Sequence, residues 1–446
     1  NDHDLDDLIA TYGLSFFLIS DAATVSASSD PNIAVMGQIE ADNHTLRPVV
    51  KDPYPVTDDD HSFVFSSGTS GAFKGMVISK KGVRDQIETF CAAHDVTEND
   101  SIIFFMPFSS MQNRVLYYAA ITFNADIVVV PSTMLLDGLK RYQPTFLVAP
   151  PIFYEAVEKS IKVAQARVSL IKRTLLAVAS RAVRLMQHII PRRASASLLR
   201  RIHRNAYDIF GGRMRVMITG MAKIGLSTLE FYKTLGLPML QVYGLTETGV
   251  VCVNTLTNNQ IGTVGRPLPG NNVSIAEDGE IVVHKEAPET NRFFHFEDSS
   301  EDTRFEDGGV YTGDLGHLSE DGTLTLVGRK KSTIVGNSGV KVQPEPIEKV
   351  LEENMLVAKA VLVGLDNGRS LGVAVQTIRS IDGIEYTTLE EEVRKVVRDM
   401  AASFKDHLRL AITEEDFTAD NGLLTRNLKI NRTAVRTHFF ESTLAR

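Results

Sequence analysis

Short runs rich in Val, Ile and Phe recur between longer amphipathic stretches over the first 250 or so residues, and this alternation constrains the chain more than any other feature. The runs SFFLIS, SFVFS, SIIFFMPF, ADIVVVP, TFLVAP, RVMITG and MLQVYG all have strand length. Strands that alternate with helix-length segments predict an α/β fold, with mixed, largely parallel sheets and flanking helices. After Gly249 the pattern changes. Between about residues 251 and 328, short strands are punctuated by the turn dipeptides Asp278-Gly279 and Asp321-Gly322, which predict a β-rich, antiparallel or barrel-like part. From about Arg329, the segments EPIEKVLEEN, AVLVGL, GVAVQTI and TLEEEVRKVVRDMAASF predict a small α+β domain. At about 150 residues per domain, 446 residues leave room for two or three. The expected division is a large domain over 1–328, α/β to about 250 and β-rich beyond, followed by a small one over 329–446.

Charge is unevenly spread. The chain carries 47 Lys and Arg against 55 Asp and Glu, a net of −8, yet Glu155 to Arg215 holds 14 cations and 3 acids, a net of +11 that leaves −19 elsewhere. In that segment Val168, Ile171, Leu175, Val178, Ala182, Leu185 and Ile189 recur at spacings of three and four, with Arg167, Lys172, Arg173, Arg181 and Arg184 between them. The spacing predicts an amphipathic helix. Its readings are a solvated helix with the apolar stripe on the core, contact of the basic segment 159–215 with an anionic membrane, or a polyanionic ligand. Nucleic acid is not expected, because the aromatic interleaving of stacking platforms is missing. Cys91 and Cys252 are too few for a disulfide framework and have no metal-ligand spacing. No run approaches the roughly 18 apolar residues of a membrane span, and the acidic start NDHDLDD is unlike a signal peptide. The expectation is a cytoplasmic protein, with membrane association open through the basic segment.

The sharpest local motif is SFVFSSGTSGAFKG, residues 62–75. A strand runs into Ser66, Ser67, Gly68, Thr69, Ser70 and Gly71, then Lys74, then a helix. Small residues admit an anion to the backbone, hydroxyls and amides donate to it, and the lysine adds mobile charge, so the loop suits phosphate. It is not a Walker A loop, since Gly75 follows the lysine. QVYGLTETG (241–249) sets Tyr243, Gly244, Thr246 and Glu247 immediately after a strand, at the edge where α/β sheets bind ligands. A carboxylate beside phosphate implies a hard cation such as Mg²⁺ between them. YTGDLG (311–316) offers Asp314 to a ribose diol. Arg329, Lys330 and Lys331 open the last domain, and NGLLTRNLKINR (421–432) places Lys429 and Arg432 near the end.

In this order the five segments closely resemble the adenylate-forming superfamily of acyl-CoA synthetases, peptide-synthetase adenylation domains and luciferases, from about residue 8 to the end. TIVGNSGVKVQPEPIE, NGLLTRNLKINR, and the basic insert followed by GGRMRVMITG look most like long-chain fatty acyl-CoA synthetases. The resemblance implies ATP, Mg²⁺ and CoA as cofactor and co-substrates. It implies that residues 66–75 hold the β and γ phosphates with Lys74 on the pyrophosphate, that Tyr243 packs on adenine, that Thr246 contacts the α-phosphate and that Glu247 holds Mg²⁺. Asp314 and Arg329 would bind the ribose hydroxyls. Lys331 matches the hinge of a mobile lid, and Lys429 would bridge the carboxylate and the α-phosphate. Adenylation unites two anions, so positioning and charge neutralisation are the chemistry required. Thiol attack then needs a second geometry, which the hinge supplies.

The chain also departs from this pattern. Synthetases usually carry a His and an aromatic after the PL of an LPL-type segment, and here MPFSSMQNR has Ser110 and Gln112. The GGAP-like segment reads Gly220-Met221-Ala222-Lys223, and the methionine is expected to reshape the acyl pocket formed by Gly220, Met221 and Ala222. A GYY-type motif is replaced by APETNRFFHFEDSSEDTRFEDGG, without evident catalytic cost. Several strand–helix units that normally come before LIATYGLSFFLIS are missing, so a shortened protein or a fragment is expected. The leading function is an ATP-dependent acid:CoA ligase for a fatty or lipid-like acid. The alternatives are an acyl-AMP ligase that loads the phosphopantetheine of an acyl carrier protein, and a non-catalytic binding protein of the same fold.

Overall fold

A computed structural model describes residues 17–19, 33–35, 57–67, 73–108, 110–166, 169–186, 192–237, 239–294, 303–336, 339–404, 407–418, 420–424 and 430–441. Its centre is a seven-stranded sheet in the order Arg266–Pro267, Gly249–Val253, Met239–Leu245, Val216–Thr219, Phe146–Ala149, Ser101–Phe104, Asp126–Val129. The five strands from Met239–Leu245 to Asp126–Val129 are parallel, and the remaining two are antiparallel. The inner strands read as near-continuous apolar runs because both faces are covered, whereas the edge strand Asp126–Val129 is largely exposed. Ile102, Phe104 and Phe146 pack into one cluster, while their neighbours Ile103 and Leu147 pack into the other, with Tyr154 and Tyr232. Ser101–Phe104 precedes the other parallel strands in sequence yet lies between the first and second of them, Asp126–Val129 and Phe146–Ala149. The chain therefore winds away from it in both directions, and the carboxyl ends of the strands open a crevice there.

Beyond Val253 the chain forms an antiparallel sheet of Asn271–Ile275, Glu280–Lys285, Gly309–Leu318 and Arg304–Glu306, with Leu324–Arg329 also paired to Gly309–Leu318. The predicted turns lie at its hairpins. Thr290–Phe294 returns to pair with Phe73–Ser79, which pairs in turn with Asp60–Ser67. In the last part, Val357–Leu365, Ser370–Thr377 and Leu408–Thr413 form a three-stranded sheet under the helices Pro344–Glu352 and Gly383–Met400. The second helix begins with a capping box between Asp382 and Glu385. This part meets the large one through Lys349 Nζ and Glu155 Oε1 at 3.0 Å, and through Lys159 Nζ, which donates to the Val357 carbonyl at 3.2 Å.

One expectation requires correction. The basic segment forms the helices Leu170–Leu185 and Arg192–Ile202, but the apolar stripe read as a core-facing side points to solvent. Ile171 is 76% exposed, Leu175 64%, Val178 61% and Leu185 70%. The helix instead turns Leu176, Ala179, Ser180 and Val183 inward. The helix is apolar on two sides, so periodicity alone could not choose between them. Val168 and Ile189 lie outside the described residues. Among the described residues, no helix is long and apolar enough to cross a membrane.

Candidate active site

Tyr243, Gly244, Thr246, Glu247, Asp314 and Arg329 lie where the central sheet meets the β-rich part. Asp314 and Arg329 are direct cross-strand partners, and Arg329 Nε is 2.8 Å from Asp314 Oδ1. The other carboxylate oxygen, Oδ2, accepts a hydrogen bond from the Tyr243 hydroxyl at 2.9 Å. Asp314 is thus a buried carboxylate held from two sides by charge-assisted bonds. The Tyr243 ring is buried with Val251, Val283 and Leu324, and that burial, followed by the nearby Asp314 carboxylate, raises its hydroxyl well above the usual tyrosine range. The ring therefore contributes a buried wall, and its hydroxyl fixes Asp314. Replacing Asp314 with alanine strands this hydroxyl without an acceptor, and the expected loss of stability in urea is about 1–3 kcal/mol. A loss below a few tenths would mean that the hydroxyl finds another partner.

Past Leu245, residues Thr246, Glu247 and Thr248 turn the chain into the antiparallel neighbour. Thr248 Oγ1 accepts from Leu245 N at 3.2 Å and donates to the Gly249 carbonyl at 3.0 Å. Two further bonds come from Thr290, which is fully buried. Its Oγ1 donates to the Thr246 carbonyl at 3.2 Å and its N–H to the Glu247 carbonyl at 3.1 Å. Sequence reasoning misses Thr290, because it acts from 44 residues away in a stretch without a catalytic motif. The turn is also tightly packed. A Cβ on Gly244 would fall 2.1 Å from the Gly249 carbonyl, and Gly249 takes φ +70° with Gln86 Oε1 and the Glu289 carboxyl against it.

Glu289 is a second residue missed from sequence. Burial pushes its carboxyl up to about 8, against the opposing charge of Lys285. The unfolded chain releases this proton near the ordinary value of 4.5, so the folded state holds a proton that the unfolded state loses between about pH 4.5 and 8. Stability contributed here therefore falls as pH rises through that window. Glu289→Gln is expected to raise Tm relative to wild type at pH 8 and to match it at pH 4. An equal difference at both pH values would contradict the assignment.

The remaining candidates are placed as follows. Ser66, Ser67 and Lys74 lie on the paired strands Asp60–Ser67 and Phe73–Ser79, with Ser66 opposite Lys74. Gly68, Thr69, Ser70, Gly71 and Lys429 are outside the described residues. Gly220, Met221 and Ala222 follow the strand Val216–Thr219 at its carboxyl end, and Met221 is half-exposed at φ +68°, a backbone region that favours glycine. Ser110 bonds to Gln112 at 3.0 Å just beyond the carboxyl end of Ser101–Phe104. Lys331 is exposed in the short helical turn after Arg329. Arg432 is committed to the last domain, pairing with Glu345 at 3.3 Å and with Glu348. Among the described residues, no three acidic, His or Cys side chains converge as a metal cage. Mg²⁺ bound together with phosphates needs no more than one or two protein carboxylates, so the lack of a cage leaves Glu247 as a candidate.

Residues 16–288 match the family model described as AMP-binding enzyme, and residues 331–437 match the model for the AMP-binding enzyme C-terminal domain. The chain is 29% identical to the long-chain-fatty-acid–CoA ligase FadD15 of Mycobacterium bovis over 85% of this chain and 68% of that protein. It is 24% identical to the chloroplastic long-chain-fatty-acid–[acyl-carrier-protein] ligase AEE15 of Arabidopsis thaliana, over 96% of this chain and 67% of that protein. The chain thus spans about two thirds of the length of these relatives. Its fold matches that of the o-succinylbenzoate CoA synthetase of Bacillus subtilis in complex with its acyl-adenylate, with a TM-score of 0.70 and 18% identity over 98% of this chain and 81% of that one.

Proposed function

This chain belongs to the AMP-binding enzyme family, and we propose that it converts a long-chain carboxylic acid and ATP to an acyl-adenylate and pyrophosphate, then transfers the acyl group to the thiol of CoA. The observation that carries the reading is the Asp314 carboxylate, held by Tyr243 and Arg329 beside the Thr246–Glu247 turn. A carboxylate fixed in this way can accept both hydroxyls of a ribose. Thr246 comes three residues after Tyr243 in the chain, and its hydroxyl would suit an α-phosphate oxygen. Glu247 would hold Mg²⁺, whose charge offsets that of the phosphates. Residues 66–75 with Lys74 take the leaving pyrophosphate, and Lys429 neutralises the two anions that must meet. Lys331, beside Arg329, serves as the hinge that removes Lys429 before the thiol attacks. Gly220, Met221 and Ala222 line the acyl side.

The long acyl chain and the CoA acceptor come from likeness to the mycobacterial ligase, and the plant relative supports a second reading in which an acyl carrier protein is the acceptor. Wild-type protein given palmitate, ATP and Mg²⁺ is expected to form thioester with free CoA. Transfer to a phosphopantetheinylated carrier with none to CoA would favour the second reading. Failure to form adenylate with any acid would remove both.

The exposed stripe of Ile171, Leu175, Val178 and Leu185, within a segment of net +11, supports peripheral contact with an anionic bilayer, where apolar side chains enter and cations meet headgroups. Leu175→Asp combined with Val178→Asp is expected to abolish co-sedimentation with phosphatidylglycerol-containing vesicles. Unchanged binding would leave the stripe as bare solvated surface.

A further inference from the structure

Four arginines that the adenylation chemistry does not use line one cleft. Arg200 and Arg201 end the helix Arg192–Ile202, Arg204 opens the next helical turn, and Arg213 comes three residues before the strand Val216–Thr219. The cleft has a volume of about 410 Å³, and Gln143, three residues before Phe146–Ala149, closes its side. It therefore lies at the amino ends of the parallel strands, on the sheet edge opposite Gly220 and Thr246.

One wall is built. Arg200 Nε donates to the Gly236 carbonyl at 3.3 Å, its guanidinium lies 5.0 Å over the Tyr207 ring, and the Tyr207 hydroxyl donates to the Met214 carbonyl at 2.7 Å. Gly211 and Gly212 complete the lining, and Gly211 N already donates to the Asp208 carbonyl at 3.1 Å. Gly211 takes φ +82°, and a Cβ there would fall 2.2 Å from the Leu139 carbonyl. The charge is not internally balanced. Asp208 is the one acid lining the cleft, and it faces Arg204 at 3.6 Å. Among the described residues no carboxylate pairs with Arg201 or Arg213, and both are exposed.

Guanidinium forks that line one cleft suit a tetrahedral oxyanion with several acceptors better than a point charge, and the volume admits a small phosphorylated molecule. We propose that this cleft is a second anion site, separate from the catalytic one, which recognises a phosphate-bearing ligand through Arg201, Arg204 and Arg213, with Arg200 and Tyr207 as its fixed wall. The phosphate could come from a soluble metabolite or from a lipid headgroup, and both present the same oxygens to the forks.

The test uses the full chain as wild type, as Arg201→Gln/Arg213→Gln and as Arg201→Lys/Arg213→Lys, with urea midpoints to establish that all three fold. In calorimetric titration with inorganic pyrophosphate, the Gln variant is expected to take up one equivalent fewer than wild type. The Lys variant, which keeps charge but loses the forks, should retain that site at about tenfold weaker affinity. Counting the difference in equivalents keeps this result independent of uptake at the catalytic loop. Phosphatidylcholine vesicles containing phosphatidic acid or, at equal mole fraction, phosphatidylserine separate the two sources. A preference for phosphatidic acid that the Gln variant loses assigns the ligand to a lipid headgroup, whereas equal retention of wild type by both vesicles, alongside the missing pyrophosphate equivalent, assigns it to a soluble phosphate. Equal pyrophosphate uptake by wild type and the Gln variant, or a Lys variant that binds as tightly as wild type, would overturn the site and reduce the cluster to a diffuse positive field.

Discussion

Replacing Lys429 with alanine is expected to slow acid-dependent ATP–pyrophosphate exchange about 10²- to 10³-fold, the scale of removing one preorganised charge-stabilising donor, while ATP affinity changes only a few fold. The asymmetry follows from where the charge is needed. Bringing a carboxylate up to the α-phosphate concentrates negative charge at the moment of bond formation, and a lysine aimed at both groups acts there more than on either substrate alone. The second half-reaction separates this role from a general loss of fold. Lys429→Ala supplied with preformed acyl-adenylate should transfer the acyl group to CoA at close to the wild-type rate, because the proposed hinge motion removes the lysine before the thiol attacks. Equal loss in both half-reactions would show that the residue is structural.

Arg432→Ala should be the most destabilising single change in the last domain, at about 3–5 kcal/mol, the range for breaking a buried ion pair from one side. Its guanidinium pairs with Glu345 and Glu348 and donates to the Leu362 carbonyl at 2.9 Å. Glu348 is buried, and its oxygen also accepts from Leu362 N at 2.7 Å. Without the arginine that carboxylate has lost its charge partner, and burial, which already raises its pKa, drives it to protonate. Arg432 also anchors the segment after Lys429. Leu424 bridges Ile430, and Asn431 N donates to the Leu423 carbonyl at 3.0 Å. The urea midpoint should therefore fall together with the adenylation rate. Glu348→Met combined with Arg432→Met should recover most of the stability, since it removes both charges, and should recover little of the activity if the anchor sets the lysine loop. A loss under 1 kcal/mol for Arg432→Ala would contradict the reading.

The α/β class is legible in the sequence because a strand covered on both faces has to be apolar throughout, as in Ile102, Ile103 and Phe104. Strand order is not legible, because pairing Ser101–Phe104 with both Asp126–Val129 and Phe146–Ala149 is a long-range choice that local pattern does not encode. The same distinction holds at the candidate site. Tyr243, Asp314 and Arg329 stand out in motifs, yet the bonds that join them span 71 residues in one case. Thr290 and Glu289 carry no motif at all; their importance comes from the backbone of the turn they support. Hydrophobic period identifies the stripe of Leu170–Leu185 as a face without saying what it meets, and here it meets solvent.

Acid-dependent ATP–pyrophosphate exchange across straight-chain acids, from acetate to long-chain acids, tests the central claim most directly. Exchange is expected to require both an acid and Mg²⁺, to rise with chain length and to fall sharply in Lys429→Ala. Saturable ATP binding with no exchange for any acid would contradict the claim and leave a binding protein built on this fold.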